Sequence, residues 1–328
     1  MAESRNQMSK AIGGYFELAE REAEGNYPVD GVRLNTSRNA LEYIIKCLPD
    51  CKHVYLPLYT CEAVVEPFKR LPNVGFSFYH INNRFEIAEE ITLHDGEYLI
   101  ANNYFGLKDA YIAQLAQQYC DRLIVDNAQA LFAPVLPGIK AVYSARKYVG
   151  VADGGFAVGV EDLDALNYEL DDASEHDSHL LIRKEQGAEA GFKDYQQNEC
   201  KLDNQPIRRM AIQTQDVLLH IEYQNVIAKR RANFEYLHKA LGSHNQLVLP
   251  ELDTFACPMV YPFIGRIDVD LRSKLIANKI FVARYWPNVT DWAKPDDLEY
   301  SLSTRLIPLP IDQRYCKEDM DIIIQKII

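Results

Sequence analysis

The sequence predicts an α/β fold, a mainly parallel central sheet covered by helices, followed by a smaller C-terminal α+β domain. Three observations lead there. Short apolar runs alternate with helical patterns through the first 160 residues, as expected of strands buried on both faces beneath crossover helices. The chemically distinctive side chains fall just after those runs, where open parallel sheets bind their ligands. The character then changes: residues 162–205 are charged or polar, and the tail beyond Gly242 mixes short strand and helix patterns. The expected organisation is an N-terminal arm or helix at 1–30, a large α/β domain at 31–241 and a small α+β domain at 242–328.

In chain order, NALEYIIKCL (39–48) reads as a helix and HVYLPLY (53–59) as a strand. TCEAVVEPFKRL (60–71) is helical; GFSFYHI (75–81) and EYLIAN (97–102) are strands. DAYIAQLAQQYC (109–120) is an amphipathic helix, RLIVD (122–126) a short apolar strand, and AVYS (141–144) and GGFAVGV (154–160) are strands. The charged segment reads as a helix followed by a long surface excursion. A long helical pattern spans 207–241, with Gly242 as its stop. In the tail, strands are expected at 245–249, 257–264, 280–284 and 304–308, and helices near Val269–Asn278 and Glu318–Ile327.

Bulk properties exclude several functions. The chain has 328 residues, is 48% hydrophobic and 25% charged, and carries a formal net charge of −12. That charge argues against sequence-independent nucleic-acid binding, which rests on Lys and Arg against phosphate. No apolar run reaches membrane-spanning length, and the acid-bearing start lacks the apolar core of a signal peptide. The seven cysteines are scattered with no CxxC pair, so buried cytosolic thiols are expected rather than disulfides or zinc. These features point to a cytoplasmic protein without nucleic-acid, membrane or metal partners. His176-x-x-His179 has no third ligand in register and reads as a surface helix.

The candidate chemistry lies in three places. Asn35, Thr36 and Ser37 precede a clear helix, whose N-terminus can bind phosphate or simply be capped. Asp126 ends the strand RLIVD, as a ligand partner or as an N-cap. Lys147 follows the next strand, AVYS, in the segment SARKYVGVADGG, where Ser144 adds a hydroxyl. If those strands are neighbours, Asp126 and Lys147 meet at one rim. Pyridoxal phosphate asks for that arrangement: an amine for its aldehyde, a carboxylate for its ring nitrogen and a cradle for its phosphate.

With these segments in view, the sequence resembles the fold-type-I pyridoxal-phosphate enzymes, and among them the DegT/DnrJ/StrS-type nucleotide-sugar aminotransferases. TSRNALEYII is similar to the family's phosphate-binding helix, VYLPLYTCEAVVEPF to its P-x-x-T strand and loop, and IVDNAQA to its Asp-x-Ala-Gln motif. SARKYVGVADGG is similar to the lysine segment, and the helix and closing segments beyond Arg208 continue the likeness. The resemblance implies pyridoxal 5'-phosphate as cofactor, with Lys147 and Asp126 catalytic. Lys147 would bind the cofactor covalently and move a proton. Asp126 would pair with the ring nitrogen and Gln129 would sit near the phenolic oxygen. Thr36, Ser37 and Ser144 would hold the phosphate. It implies transfer of an amino group from an amino acid, glutamate first, to a nucleotide-linked keto-sugar. Relatives that dehydrate sugars instead lack the lysine. It also implies a homodimer, with Arg208 or Arg209 reaching a partner's site or lying on a solvated helix face.

Some positions depart from the family pattern. Cys61 stands where an aromatic residue normally stacks on the cofactor, leaving Tyr59, Tyr104 or Phe105 as substitutes. Val142 occupies the usual phosphate-serine position, with Ser144 two residues on. Tyr285 and Trp286 read as packing residues, and Arg284 as a candidate for a substrate anion. Two alternatives stay open: a lyase or decarboxylase on the same fold, and a non-catalytic binding homologue.

Overall fold

The structure, a computed structural model, describes residues 11–161, 167–253, 256–266 and 270–328. Residues 1–10 of the expected arm, 162–166 of the expected charged helix and Val269 of the tail helix lie outside the described residues.

In chain order the first half contains β1 (Ile12–Gly13), β2 (Val32–Leu34), α1 (Ser37–Lys46), β3 (His53–Pro57) and α2 (Glu62–Arg70). It continues with β4 (Gly75–Tyr79), β5 (Glu97–Asn102), α3 (Asp109–Tyr119), β6 (Leu123–Asn127), β7 (Lys140–Ser144) and β8 (Gly155–Val158). The second half contains α4 (Ser178–Gln186), α5 (Phe192–Lys201), α6 (Ile212–Leu219), α7 (Tyr223–Leu241), β9 (Val260–Phe263) and α8 (Leu271–Ala277). It closes with β10 (Ile280–Phe281), α9 (Val289–Trp292), α10 (Leu298–Arg305), β11 (Ile307–Pro310) and α11 (Lys317–Ile327).

Seven strands form the central sheet in the order β2-β8-β7-β6-β5-β3-β4. Pairings from β4 through β7 are parallel, and β8 runs against both β7 and β2. Alternate strand residues are apolar on both faces. Ile100 and Ile124 pack with Leu41 and Ile44 of α1, while Leu99, Leu123 and Val125 pack with Ile112 and Leu115 of α3. That two-sided burial is why the strands read as unbroken apolar runs.

A third apolar cluster lies in the C-terminal part, around β9, β11 and α11. It takes Ile12 from β1, and Phe234, Leu237 and Leu241 from α7. Tyr223 and Ile227, earlier in α7, pack on the large cluster instead. Thus α7 serves both cores, and the expected boundary at 242 falls at its end.

Several expectations are corrected. The polar excursion is a helical hairpin, α4 and α5, with His179, Leu180 and Asn198 buried. The long helix of 207–241 is two helices, because the carbonyls of Leu219 and His220 accept from the N–H groups of Gly25 and Glu22. Residues 245–249 form no strand: Asn245 Oδ1 accepts from the Leu247 and Ile264 N–H groups, making a turn. The seven cysteines are free thiols, but only Cys51 and Cys257 are buried and four are exposed. Among the described residues no helix is long and apolar enough to cross a membrane.

Candidate active site

The start of α1 forms a small donor array. Thr36 caps the helix, its hydroxyl accepting from the Asn39 N–H at 3.2 Å. Asn35 Oδ1 accepts from the Thr36 N–H at 3.1 Å and the Asn39 amide at 2.9 Å, fixing the turn. The N–H groups of Ser37 and Arg38, in the first turn, have no intrahelical acceptor, and find none elsewhere among the described residues.

The lysine segment is stitched to this array. β7 ends at Ser144 and the chain passes through a 3₁₀ turn, Ala145–Lys147. The Gly154 N–H donates to the Asn35 carbonyl at 2.8 Å, and the Gly154 carbonyl accepts from the Ala145 N–H at 2.9 Å. At Gly155 an added Cβ would stand 2.3 Å from the Thr36 carbonyl and 2.7 Å from the Ser37 nitrogen, so only glycine lets β8 approach so closely. Asp153 is buried beneath the turn, accepting from the Ala211 N–H at 2.7 Å and from the Thr214 hydroxyl. Burial pushes its pKa up to about 6.

Asp126 lies in β6, paired in register with Val142 of the adjacent parallel strand β7. Lys147 follows the same end of β7. Burial raises the Asp126 pKa; the Lys147 charge and the Ala128 N–H, at 2.8 Å, pull it back. Both residues line one cavity of about 660 Å³, together with Thr36, Ser37, Ser144 and Cys61. Lys147 is half-buried, and its side chain makes no hydrogen bond or ion pair among the described residues. Burial raises the Cys61 thiol, and Lys147 again acts in the opposite sense.

Other expected residues lie elsewhere. Gln129 does not line the cavity; its Oε1 accepts from the Phe105 N–H at 3.1 Å, and its Nε2 is buried without a partner. Tyr59 is fully buried outside the cavity, donating to the Tyr285 carbonyl at 2.6 Å and packing on Tyr104 and Trp286. Tyr104 and Phe105 are core residues as well. The Tyr and Phe rings that do reach the cavity are Tyr15, Phe16, Phe192, Tyr195, Phe281 and Tyr285. Phe105 stacks behind Tyr285, whose hydroxyl burial pushes up to about 12.

Arg208 and Arg209 are not on a helix face. They lie in an extended segment bridging Leu34 and Leu170, where Arg208 pairs with Asp171 at 3.1 Å and Arg209 donates to the Tyr168 carbonyl at 2.9 Å. Arg284 is exposed, outside the cavity, and donates to the Ser303 carbonyl at 3.1 Å. No group of three or more potential metal ligands occurs among the described residues. His176 and His179 are both buried rather than on a surface helix. His179 lines the cavity, with a pKa lowered to about 4 by burial and by Arg146.

The sequence reading missed the cover of the site. Arg146 turns into the cavity and pairs with Glu199 of α5, and Tyr195 of the same helix stacks on Tyr15 at 4.9 Å. Arg230 of α7 also lines the cavity, with its guanidinium 4.4 Å from the centre of the Tyr148 ring. Its mid-helix position in KRRANF gave no sign of that.

No family model and no curated protein matches the chain in sequence. Solved structures do match. DesV from S. venezuelae, in complex with a ketimine intermediate, is 15% identical with a TM-score of 0.62, covering 93% of this chain and 84% of its own. A DegT DnrJ EryC1 StrS aminotransferase from Brucella abortus is 16% identical with a TM-score of 0.58, covering 90% and 84%. NtdA from Bacillus subtilis, with bound cofactor PMP, is 15% identical with a TM-score of 0.61, covering 90% and 72%. At that identity the likeness is one of fold, and the chain has the fold-type-I transferase architecture of these aminotransferases.

Proposed function

We propose that the chain is a pyridoxal-phosphate-dependent aminotransferase of the DegT/DnrJ/StrS type. It moves an amino group from an amino acid, glutamate first, to a nucleotide-linked keto-sugar, and works as a cytoplasmic homodimer. The observation that carries this reading is the convergence of Lys147, Asp126 and the α1 N-terminus on one cavity.

The donor set fits the cofactor. Gly155 lets β8 pack directly against the Thr36–Ser37 backbone, which fixes the start of α1 beside the lysine segment. The Ser37 and Arg38 N–H groups, with the Thr36 and Ser144 hydroxyls, would hold the phosphate at the positive end of a helix. Asp126 is a buried carboxylate whose pKa burial raises, and a cationic ring N–H would stabilise its charged form. Lys147 offers an uncommitted amine to the aldehyde. When bound, the cofactor supplies an electron sink for the bond-breaking at the substrate Cα.

The chain's own groups do the rest. With the cofactor bound, Asp126 would keep the ring nitrogen protonated, and the Lys147 amine would take and hold the proton of the substrate Cα. The α4–α5 hairpin, held by Arg146–Glu199 and Tyr15–Tyr195, forms one wall of the cavity. A cavity of about 660 Å³ is within the range that takes a whole small ligand.

An absorbance scan with pyridoxal phosphate, with and without glutamate, tests the reading. A yellow protein that bleaches with glutamate is expected. A protein that stays colourless with added cofactor refutes it.

A further inference from the structure

On the strand beside Asp126 lies a buried amide with half of its hydrogen bonding unmet. Asn102 closes β5 and is paired in register with Asp126 of the parallel strand β6. Side chains of one sheet face recur at every second residue. Asn102 and Asp126 therefore continue the rows of Ile100 and Ile124, on the face that packs against α1. The two strands are tied at this point by the Asn103 N–H, which donates to the Asp126 carbonyl at 3.0 Å.

Asn102 is 8% exposed. Its Nδ2 donates to the Thr60 hydroxyl oxygen at 3.0 Å, while its Oδ1 is buried with no partner. A buried acceptor left unpaired is costly. Two arrangements of the same three side chains remove that cost. When Asp126 is protonated, its O–H can donate to Oδ1. When Asp126 is ionised, a half-turn of the amide exchanges the roles. The Thr60 hydroxyl, which can donate as well as accept, then gives its hydrogen to Oδ1, and Nδ2 turns to the carboxylate. The Thr60 contact survives both ways. Burial favours the neutral form of Asp126, and a cationic ring nitrogen favours the ionised one.

Resting on the aminotransferase reading, we propose that Asn102 is a positioning residue for Asp126. Its amide turns with the charge of the carboxylate, and Nδ2, backed by Thr60, holds the anion toward the cofactor's ring nitrogen. The other titratable groups that act on this carboxylate are Lys147, Cys61 and Tyr104. They stay unchanged in the test below.

The test compares wild type with Asn102→Leu, Thr60→Val and Thr60→Ser on two readouts. The first is the Asp126 titration in the chain without cofactor, followed by NMR of carbon-labelled aspartate and assigned with Asp126→Asn. Its pKa should rise by about one pH unit in Asn102→Leu, the difference between a charge-assisted and a neutral hydrogen bond. Thr60→Val should give a smaller rise, and Thr60→Ser, which keeps the hydroxyl, none. The second readout is cofactor uptake by absorbance. Affinity for pyridoxal phosphate should fall roughly 10-fold in Asn102→Leu. Affinity for its deaza analogue, with carbon in place of the ring nitrogen, should be unchanged. An unmoved Asp126 titration in folded Asn102→Leu overturns the proposal, and so does an equal loss of affinity for both forms, the mark of a packing defect. Should Asn102→Leu not fold, Thr60→Val decides on the same two readouts. A chain that takes up neither form, with the Asp126 titration still moved by Asn102→Leu, contradicts the aminotransferase reading and retains the Asn102–Asp126 couple.

Discussion

Gly155 lies so close to Thr36 that a Cβ at position 155 would stand 2.3 Å from the Thr36 carbonyl oxygen. The contact joins the strand after the lysine turn to the cap of α1. Gly155→Ala must push β8 away from Ser37. A loss of about 1–3 kcal/mol is expected from overpacking, together with weaker binding of pyridoxal phosphate. Denaturant unfolding and a cofactor titration check both, and a variant with unchanged cofactor affinity would show that the cradle tolerates the shift.

Asp126→Asn removes the buried charge while keeping the shape and the oxygen that accepts from the Ala128 N–H. The cofactor should still bind, but turnover should fall by on the order of 10²-fold, as for loss of one preorganised electrostatic group. Steady-state kinetics on cofactor-saturated protein measure it.

Tyr59→Phe separates the core from the cavity. The Tyr59 hydroxyl donates to the Tyr285 carbonyl and does not reach the cavity. Its loss should cost about 1–2 kcal/mol of stability and leave the cofactor spectrum unchanged. A shifted spectrum would return Tyr59 to the site.

Asp153 gives a pH signature. Its folded pKa is raised to about 6 by burial, against 3.8 ordinarily. Between those values the folded chain holds a proton that the unfolded chain releases, so this group costs stability as pH rises from about 4 to about 6. Asp153→Asn lacks that term. The stability of Asp153→Asn relative to wild type should climb by about 1.4 kcal/mol per pH unit across the window and level off above it. Other carboxylates, such as Asp312 and Glu17, are lowered, so only the difference between the two proteins isolates Asp153.

The sheet and the residues at its rim were legible because their signals are local. The apolar runs ending at Asp126 and Ser144 are strands in their own right, and Thr36 caps α1 with its own side chain. What was illegible depends on distant partners. Tyr195 and Glu199 lie in a polar stretch that becomes helical against Tyr15 and Arg146, more than 50 residues away in sequence. Tyr59 was placed in the site by its position in the loop, but the rings of Tyr104 and Trp286 draw it into the core. The break between α6 and α7 was invisible because Glu22 and Gly25, far upstream, take the carbonyls at that point.

The central claim is that Lys147 is the covalent anchor. Borohydride reduction of the chain with pyridoxal phosphate, followed by peptide mass mapping, tests it most directly. The account predicts the reduced cofactor on Lys147 and no stable adduct in Lys147→Ala. A label on another lysine, or an equal yield from Lys147→Ala, would contradict it.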